Sequence, residues 1–311
     1  MHIRFTPHED IDMEKWDKCV DDAVNRLPYA FSWYLDTVSY GWHALIADDY
    51  RAVFPLTAKK KYGIHYLAQP PFTQQLGVFS RDLISTEVVD SFIEAIPDKF
   101  KLIEIKLNKH NLPSTDSLSV KENVNLELPL ISSYEELQKN YSKNLKRNLK
   151  KAQKSDLTVV PQVNPSEIIR MFQLNRGKDI KGLNDSDYTK LEQLIYKMAQ
   201  RGYAQVRGVY TKRNNLCAAA VFFKVEDRII FLFSGLNDEG KQVAAMPYLI
   251  DSVVKQYAGK NIILDFEGSN DPGIARFYSG FGASQCFYPA IKMYRFPKWL
   301  NYAFKTAKNL Q

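Results

Sequence analysis

Residues 264–283, LDFEGSNDPGIARFYSGFGA, carry the strongest structural signal in the chain. The apolar run that begins at Ile262 and ends at Phe266 predicts a short buried strand, and the polar residues that follow would end it. Asp271 suits the N-cap of a helix, and Pro272 suits the first helical position because its missing N–H would have no partner there anyway. The sequence therefore predicts a strand, a polar turn and a short helix.

The predicted helix has one apolar face and a phenol on it. Ile274, Phe277, Tyr278 and Phe281 follow the spacing of a single helical face, and Gly282 suits the left-handed residue that stops the helix. The hydroxyl of Tyr278, beside a polar turn, makes this residue a candidate for chemistry. The alternative is that the ring only packs in the core while its hydroxyl makes a hydrogen bond.

Two acids accompany the predicted strand. Asp265 and Glu267 alternate along it, so both side chains share one face if the strand stays regular. A carboxylate at a strand end beside a polar loop could act as a general base toward an amine, which makes both acids candidate catalytic residues. Either acid could instead cap a helix or pair with a base such as Arg276. The same segment supplies three candidate substrate-binding residues, namely Ser269, Asn270 and Arg276.

A basic helix is predicted over residues 134–154. Its apolar side consists of Leu137, Tyr141, Leu145, Leu149 and Ala152, and its opposite side carries Lys143, Lys146, Arg147, Lys150 and Lys154. The stretch from Gln138 to Ser155 contains no acid that would offset the repulsion between these cations. The cationic side is either a solvated surface or a contact for an anionic partner, and Arg147, Lys150 and Lys146 are the candidate substrate-binding residues.

The segment from 264 to 283, with Tyr278 four residues before Gly282, resembles the end of a domain of the GNAT acyltransferase superfamily, and more specifically of the Fem-type aminoacyl transferases. The resemblance implies that Tyr278 is a general acid toward the leaving group. Fem-type proteins usually have Phe-Lys followed by Phe-Gly here, whereas in this chain Phe277 is followed by Tyr278. The basic helix also approximates a Fem-type pattern through Tyr141, Leu145, Arg147, Lys151 and Ala152.

The order of the predicted elements agrees with this resemblance. The chain has 311 residues, 45% of them hydrophobic, which is enough for two domains. The resemblance implies an α/β (α+β) fold of two tandem GNAT-like domains, each a mixed, mostly antiparallel sheet flanked by helices. We place the domains at residues 1–125 and 126–311, with a seam near residues 123–133 and the basic helix at the start of the second domain.

The segment from Phe231 to Ala245 stands where GNAT domains hold the pyrophosphate of coenzyme A. The family signature is reduced here to Gly240, Lys241, Gln242 and Ala244, the candidate cofactor-binding residues, while Asn237 is a candidate substrate contact. Backbone N–H groups at a helix start attract phosphate, but the segment could equally be a connecting loop. The resemblance implies acyl-CoA or aminoacyl-tRNA as the acyl donor, and the residues alone do not choose between them.

In the first half, residues 66–77 form a loop rich in proline, aromatic and amide residues. Gln69 and Gln74 are candidate contacts for a peptide or sugar acceptor, and the alternative is a rigid connector between strands. The three cysteines, Cys19, Cys217 and Cys286, are far apart, and the five histidines lack metal-ligand spacing. We therefore predict neither a disulfide framework nor a metal site.

Charge and hydropathy restrict the partners. The net charge is +7, and no apolar run approaches the length of a membrane span. The sequence predicts a cytoplasmic protein, although an amphipathic segment at 297–310 with Trp299 and Phe304 leaves peripheral membrane contact open. An anionic or nucleotide-linked small molecule is the predicted partner, tRNA is a further candidate, and no oligomeric state is indicated.

Two hypotheses follow for function. The first is an acyl or aminoacyl transferase that joins an activated acyl group to an amine of a cell-envelope precursor or a similar small molecule. The second is a catalytically inactive protein of GNAT fold that binds an anionic ligand, such as a nucleotide-linked substrate, RNA or a membrane surface. Under the first hypothesis, we expect the basic helix to border a cleft that also contains Tyr278.

Overall fold

The computed structural model describes residues 1–114, 118–179, 183–268 and 270–296. The chain divides into two compact units. Unit 1 contains residues 1–123 together with the segment that starts at Phe287, and unit 2 extends from Val124 to Cys286. The predicted domains placed all of residues 126–311 in one domain, whereas this division groups the last strand mainly with the first unit.

Helices and strands follow each other throughout the described residues. The helices are α1 (Met13–Asp21), α2 (Ser32–Val38), α3 (Thr86–Glu94), α4 (Tyr134–Lys139), α5 (Lys143–Gln153), α6 (Pro165–Leu174), α7 (Asp185–Gln200), α8 (Asp238–Gln242), α9 (Ala245–Tyr257) and α10 (Pro272–Ser279). The strands are β1 (Ile3–Thr6), β2 (His43–Ala47), β3 (Ala52–Leu56), β4 (Ala58–Lys61), β5 (Ile64–Ala68), β6 (Phe79–Ser80), β7 (Phe100–Lys106), β8 (Ser119–Pro129), β9 (Thr158–Pro161), β10 (Ala204–Tyr210), β11 (Leu216–Lys224), β12 (Arg228–Leu236), β13 (Ile263–Asp265) and β14 (Ser284–Tyr294).

Unit 1 contains an antiparallel sheet of order β1-β2-β3-β6 and the strands β4-β5-β7-β14, in which β5 and β7 run parallel. Its core is aromatic: Trp16 and Trp42 are fully buried with ring centroids 4.5 Å apart. The Trp16 indole donates a hydrogen bond to the carbonyl of Ala30 at 2.7 Å, so the polar atom of this buried ring has a partner. The unit is therefore a packed α/β body of its own.

Unit 2 is built on strands in the order β8-β13-β12-β11-β10-β9. Neighbouring strands are antiparallel except β12 and β13, which run parallel. The helices that follow β9, β12 and β13 pack beside these strands. The predicted fold class, a mixed and mostly antiparallel sheet flanked by helices, is confirmed.

The division between the units, after Asn123, falls within the predicted seam at residues 123–133, but the chain there is a strand, because β8 continues to Pro129. The strand was missed because polar residues occupy buried positions in it. Asn123 and Asn125 are both buried, and the Asn125 amide donates to Asp265 Oδ1 at 3.0 Å. A hydrogen-bond partner that lies 140 residues away in sequence gives no local strand signal.

The single basic helix predicted over residues 134–154 is two helices, α4 and α5, separated at residues 140–142. Ser133 begins α4 with a capping box, and Ser142 caps α5 by accepting a hydrogen bond from the Leu145 N–H at 3.1 Å. The predicted apolar side is confirmed, since Leu137, Tyr141, Leu145, Leu149 and Ala152 are all buried. The apolar stripe continues across the break, which is why periodicity does not reveal it.

Helix α4 and the break between α4 and α5 are anchored to α9 through one carboxylate. Asp251 accepts hydrogen bonds from the hydroxyls of Tyr134, at 2.7 Å, and Tyr141, at 2.8 Å. Burial raises the pKa of Asp251 above its ordinary value, and the two phenolic donors only partly offset this effect. The anchor fixes α4 and the start of α5 against the core, and the basic side of α5 faces outward.

We expect Ser142→Ala to lower the free energy of unfolding by about 0.5–2 kcal/mol, because it leaves the first N–H groups of α5 without their cap. Urea denaturation followed by circular dichroism measures the change. Ser279→Ala is the control, since Ser279 is exposed at the end of α10, and we expect it to change stability by less than about 0.5 kcal/mol. Equal stabilities for the two variants would contradict the capping role.

Candidate active site

The sheet of unit 2 opens between β12 and β13. Only Arg228–Ile230 of β12 pair with β13, where their partners are Ile263–Asp265. Strand β12 then continues to Leu236 after β13 has ended. The chain turns away at Glu267 and Gly268, whose φ angles of 53° and 41° are both left-handed. A side chain at Gly268 would lie 2.2 Å from the Asn125 Cα, so only glycine fits. The turn leaves the far half of the β12 edge free to line a cavity.

A bulge shapes this edge. Leu232 is an extra residue on β12, since Phe231 and Phe233 lie opposite the consecutive β11 residues Phe222 and Val221. Bulges re-aim side chains and are frequent beside active sites. Here Phe231 packs beside Tyr278, while Phe233 packs against Phe172 of α6 at a centroid distance of 4.6 Å. Aromatic rings of α6 and α10 therefore line the opening beside those of β12.

The opening is a cavity of about 820 Å³. Its lining combines apolar side chains with cations, and comprises Phe172, Leu174, Asn175, Arg176, Lys178, Phe231, Leu232, Phe233, Ser234, Leu236, Asp238, Lys241, Met246, Phe266, Glu267, Gly268, Gly273, Ile274, Phe277 and Tyr278. This volume is within the range of about 300–1,000 Å³ typical of small-molecule sites. The composition suits a ligand with an apolar part and an anionic part.

Tyr278 lines this cavity from α10. Asp271 caps the helix through hydrogen bonds from the Gly273 and Ile274 N–H groups, as the sequence predicts. The Tyr278 ring stacks on Phe266 at 4.7 Å and 23°, and it meets Phe231 edge-on at 6.0 Å. Its hydroxyl has no hydrogen-bond partner among the residues that the structure describes. The phenol is thus firmly positioned by its ring while its proton is available.

The surroundings keep this phenol protonated. Burial raises the pKa of Tyr278 above its ordinary value of 10, and the nearby carboxylate of Glu267 raises it further, while Arg176 acts weakly in the opposite direction. A protonated phenol can donate a hydrogen bond or a proton. Glu267 also lines the cavity, so the two predicted catalytic groups face the same space.

Asp265 lies elsewhere and has other contacts. It is only 2% exposed, and its carboxylate pairs with Arg228 Nη1 at 2.6 Å while accepting hydrogen bonds from Asn125 and from the Glu267 N–H at 2.8 Å. The condition for Asp265 and Glu267 to share a strand face is not met, because β13 ends at Asp265 and Glu267 has a left-handed φ. Asp265 is absent from the cavity lining and holds the turn that carries Glu267.

The basic residues of α5 do not line the cavity, contrary to expectation. Lys146, Arg147 and Lys150 are exposed. Lys146 Nζ donates to the carbonyl of Lys139 at 3.0 Å, and Arg147 Nη2 donates to Asn144 Oδ1 at 2.7 Å. The buried stripe of α5 faces the core, so its cations project away from it and reach solvent.

The cations that line the cavity are Arg176, Lys178 and Lys241. Arg176 and Lys178 belong to a 3-10 turn after α6, and Lys241 comes from α8. Arg176 Nη2 lies 3.3 Å from Asp271 Oδ2, which ties the turn to the start of the Tyr278 helix. Arg176 and Lys178 were not among the predicted site residues. A short Asn-Arg-Gly-Lys stretch after a helix carries no signal that it will approach a segment about 100 residues later.

The segment Phe231–Ala245, which was predicted to hold the pyrophosphate of coenzyme A, contains the helix α8. Asn237 caps α8 by accepting the Gly240 N–H at 2.8 Å, and its amide donates to the Leu216 carbonyl, so it has a structural role. Of the predicted cofactor-binding residues, only Lys241 lines the cavity; Gly240 is buried, Gln242 is exposed, and Ala244 is the left-handed residue before α9. No side chain caps α9, whose second residue, Met246, does line the cavity.

We expect Gly240→Ala to lower the free energy of unfolding by about 1–3 kcal/mol, because the added Cβ would lie 2.2 Å from the backbone oxygen of Cys217. Thermal denaturation measures the loss. Gln242→Ala in the same helix is exposed and serves as the control, with an expected change below about 0.5 kcal/mol. A neutral effect of Gly240→Ala would show that α8 can move away from β11.

The remaining predicted contacts are dispersed. Asn270 Oδ1 accepts the Val124 N–H at 3.2 Å, and Arg276 is exposed outside the cavity lining. Ser269 lies outside the described residues, as does the amphipathic segment at 297–310. In unit 1, Gln69 accepts the Lys106 N–H at 3.0 Å and donates to the Thr73 carbonyl, while Gln74 accepts from Gln75. These bonds support the connector interpretation of that loop.

Comparison with solved structures identifies the fold. The crystal structure of FemX matches with a TM-score of 0.65 and 13% identity, covering 98% of this chain and 99% of that chain. The chain has the Fem-type fold. A conserved protein of unknown function from Bacteroides thetaiotaomicron matches with a TM-score of 0.62 and 11% identity, covering 94% of this chain and 100% of that one. L-PGS from Bacillus licheniformis matches with a TM-score of 0.53 and 12% identity, covering 96% of each chain.

The resemblance inferred from residues 264–283 is thus confirmed at the level of the Fem-type fold. No family model and no curated protein sequence matches the chain. Within the described ranges, no cluster of three or more metal-ligand side chains occurs. No helix in that part of the chain is both long and apolar enough to cross a bilayer.

Proposed function

We propose that unit 2 transfers an activated acyl or aminoacyl group onto an amine of a cell-envelope precursor or a similar small molecule. The observation that carries the proposal is that Tyr278 and Glu267 line one cavity, at the point where β12 and β13 separate. An acid and a base that face the same space are the two groups that amide formation from an activated carbonyl needs. The Fem-type fold supports the choice of this reaction class.

The chemistry proceeds by direct attack. The amine nitrogen forms a bond to the activated carbonyl carbon, and the carboxylate of Glu267, or a water that it orients, takes the proton which the nitrogen loses. The bond from the carbonyl carbon to the leaving sulfur or oxygen then breaks, and the Tyr278 hydroxyl donates its proton to that atom. Because burial keeps the pKa of Tyr278 high, the proton is present throughout the neutral range.

The anionic part of the donor has cations within the cavity. Arg176, Lys178 and Lys241 lie along its lining, and charge-assisted hydrogen bonds from such groups are strong contacts for phosphate. The start of α9 adds backbone N–H groups without a side-chain cap. Acyl-CoA and aminoacyl-tRNA both carry the required phosphates, and either is a candidate donor. Arg147, Lys150 and Lys146 are then available only to substrate that extends beyond the cavity.

A second candidate function is the binding of an anionic ligand without transfer. It is favoured by the cations of α5, which form no salt bridge with any acid that the structure describes, although they lie outside the cavity. Phosphate binding at such a surface weakens steeply as salt rises, with a slope that reports the number of contacts. A steep slope that depends on Arg147 and Lys150, together with no transfer, would support this alternative.

The deciding experiment incubates the full chain with acyl-CoA thioesters or charged tRNA and with amines that include nucleotide-linked peptides. We expect mass spectrometry to show an amide, formed in equal amount to the released thiol or uncharged tRNA. Ligand binding without amide in any combination would favour the second candidate. An acylated cysteine formed during turnover would contradict direct attack. The cytoplasmic location and the cell-envelope acceptor stay predictions.

A further inference from the structure

The immediate surroundings of Tyr278 indicate which acyl group the cavity accepts. The phenol can protonate the leaving group only if the reacting carbonyl lies within hydrogen-bonding reach of it. The rings around Tyr278 are those of Phe266 at 4.7 Å, Phe277 at 5.6 Å and Phe231 at 6.0 Å. Any substituent on the carbonyl therefore lies against aromatic surface.

Two further apolar side chains extend this surface. Ile274 lies one helical turn before Tyr278 on α10, and Met246 lies near the start of α9; both line the cavity. A cavity of about 820 Å³ leaves room for far more than the two carbons of an acetyl group. Small acyl groups would leave most of this apolar lining in contact with water.

The charged groups of the lining do not favour an amino acid as the acyl group. Its two acids are Asp238 and Glu267. Asp238 is 82% exposed and lies 2.8 Å from Lys241 Nζ, so it faces solvent with a cation beside it. Glu267 is the proposed base. An α-ammonium group beside Tyr278 would pair with Glu267 and so occupy the carboxylate that the reaction needs as its base, whereas an apolar acyl group would leave Glu267 available.

We propose that the acyl group held beside Tyr278 is large and apolar, branched, chain-like or ring-bearing, and is neither acetyl nor aminoacyl. This inference rests on the proposed transferase function and adds the class of its donor. Phe231, Phe266, Phe277, Ile274 and Met246 set this specificity. Arg176, Lys178 and Lys241 bind the anionic part of the same donor.

Affinity measurements with simple thioesters test the proposal without the phosphate contacts. The probes are the acetyl, glycyl, hexanoyl and phenylacetyl thioesters of N-acetylcysteamine, with binding measured by calorimetry. Each buried methylene raises affinity about fourfold. We expect the hexanoyl and phenylacetyl probes to bind about 30- to 250-fold more tightly than the acetyl probe. Equal or tighter binding of the acetyl or glycyl probe overturns the proposal.

Variants at Ile274 test whether the acyl group of the probe binds beside this residue. Ile274→Trp places an indole in the cavity, and we expect hexanoyl binding to fall at least about tenfold while acetyl binding changes less than about threefold. Ser279→Trp adds the same ring at an exposed position of α10 and should leave both affinities unchanged. Ile274→Ala, which cannot clash, should weaken hexanoyl binding several-fold. If none of these changes occurs, the acyl group binds elsewhere.

Failure of this inference differs from failure of the proposed function. If amide forms equally well from acetyl and phenylacetyl donors, the transferase function stands and the specificity is wrong. If the phenylacetyl probe binds tightly and depends on Ile274 but no donor yields amide, the apolar site stands and transfer is wrong.

Discussion

Replacement of Tyr278 by phenylalanine is expected to lower kcat for acyl transfer by about 100- to 10,000-fold, the usual range for loss of a general acid. The substitution removes one oxygen atom and retains the ring that stacks on Phe266 at 4.7 Å. Because the hydroxyl makes no hydrogen bond to any described residue, its loss leaves no partner unsatisfied, and stability should change by less than about 1 kcal/mol. Steady-state kinetics and urea denaturation measure the two quantities.

The dependence of kcat on the leaving group separates a proton donor from a positioning residue. Burial and the charge of Glu267 raise the pKa of Tyr278 above 10, so ionisation of this phenol should not reduce activity up to pH 10. For Tyr278→Phe, the loss should be largest with a poor leaving group and smaller with an activated thioester, which needs less protonation. The exposed Tyr196 of α7 provides the control, and Tyr196→Phe should retain full activity. Retention of more than about a third of kcat by Tyr278→Phe would remove the phenol from the mechanism.

The local features of residues 264–283 could be predicted because their causes are local. The cap at Asp271, the proline at the start of α10 and the left-handed Gly282, with φ of 82°, each follow from the chemistry of a single residue. Helical periodicity likewise identified the buried side of α4 and α5. It could not identify the break between them, since Tyr141 stays buried across it. The sequence signals for that break are single residues, Asn140 at the end of α4 and Ser142 at the start of α5.

The composition of the cavity could not be predicted, because it depends on distant segments. Arg176 reaches Asp271 across 95 residues, and Phe172 meets Phe233 only after α6 packs on the sheet. The basic residues of α5 suggested a substrate contact because their charge is evident in the sequence. Which side of a helix meets a cavity depends instead on where its apolar side is buried. In α5 that side faces the core, and the cations face solvent.

The role of Asp265 likewise could not be predicted from its neighbours in sequence, because its partners lie on other strands. An acid at the end of a strand beside a polar turn is a reasonable candidate base when only its neighbours are known. In the structure, Arg228 of β12 lies 2.6 Å from Asp265 Oδ2 and 2.8 Å from Glu127 Oε1 of β8. Burial alone would lower the pKa of Arg228, but the two carboxylates outweigh that effect and raise it. This buried network joins three strands directly below the turn that carries Glu267.

Replacement of Arg228 by methionine is therefore expected to lower the free energy of unfolding by about 3–5 kcal/mol, because two carboxylates would stay buried without their cation. Methionine retains much of the apolar volume, so the loss reports charge rather than packing. Urea denaturation at pH 7.5 measures this change, and hydrogen exchange in β12 and β13 locates it.

Arg276→Met provides the matched control, since Arg276 is exposed and the same change there should cost less than about 0.5 kcal/mol. A loss below about 1 kcal/mol for Arg228→Met would show that the network does not stabilise the opening of the sheet. The expected loss would instead explain why Asp265 cannot serve as the base. Its carboxylate holds Arg228 and the Glu267 N–H, and the turn depends on both contacts to present Glu267 to the cavity.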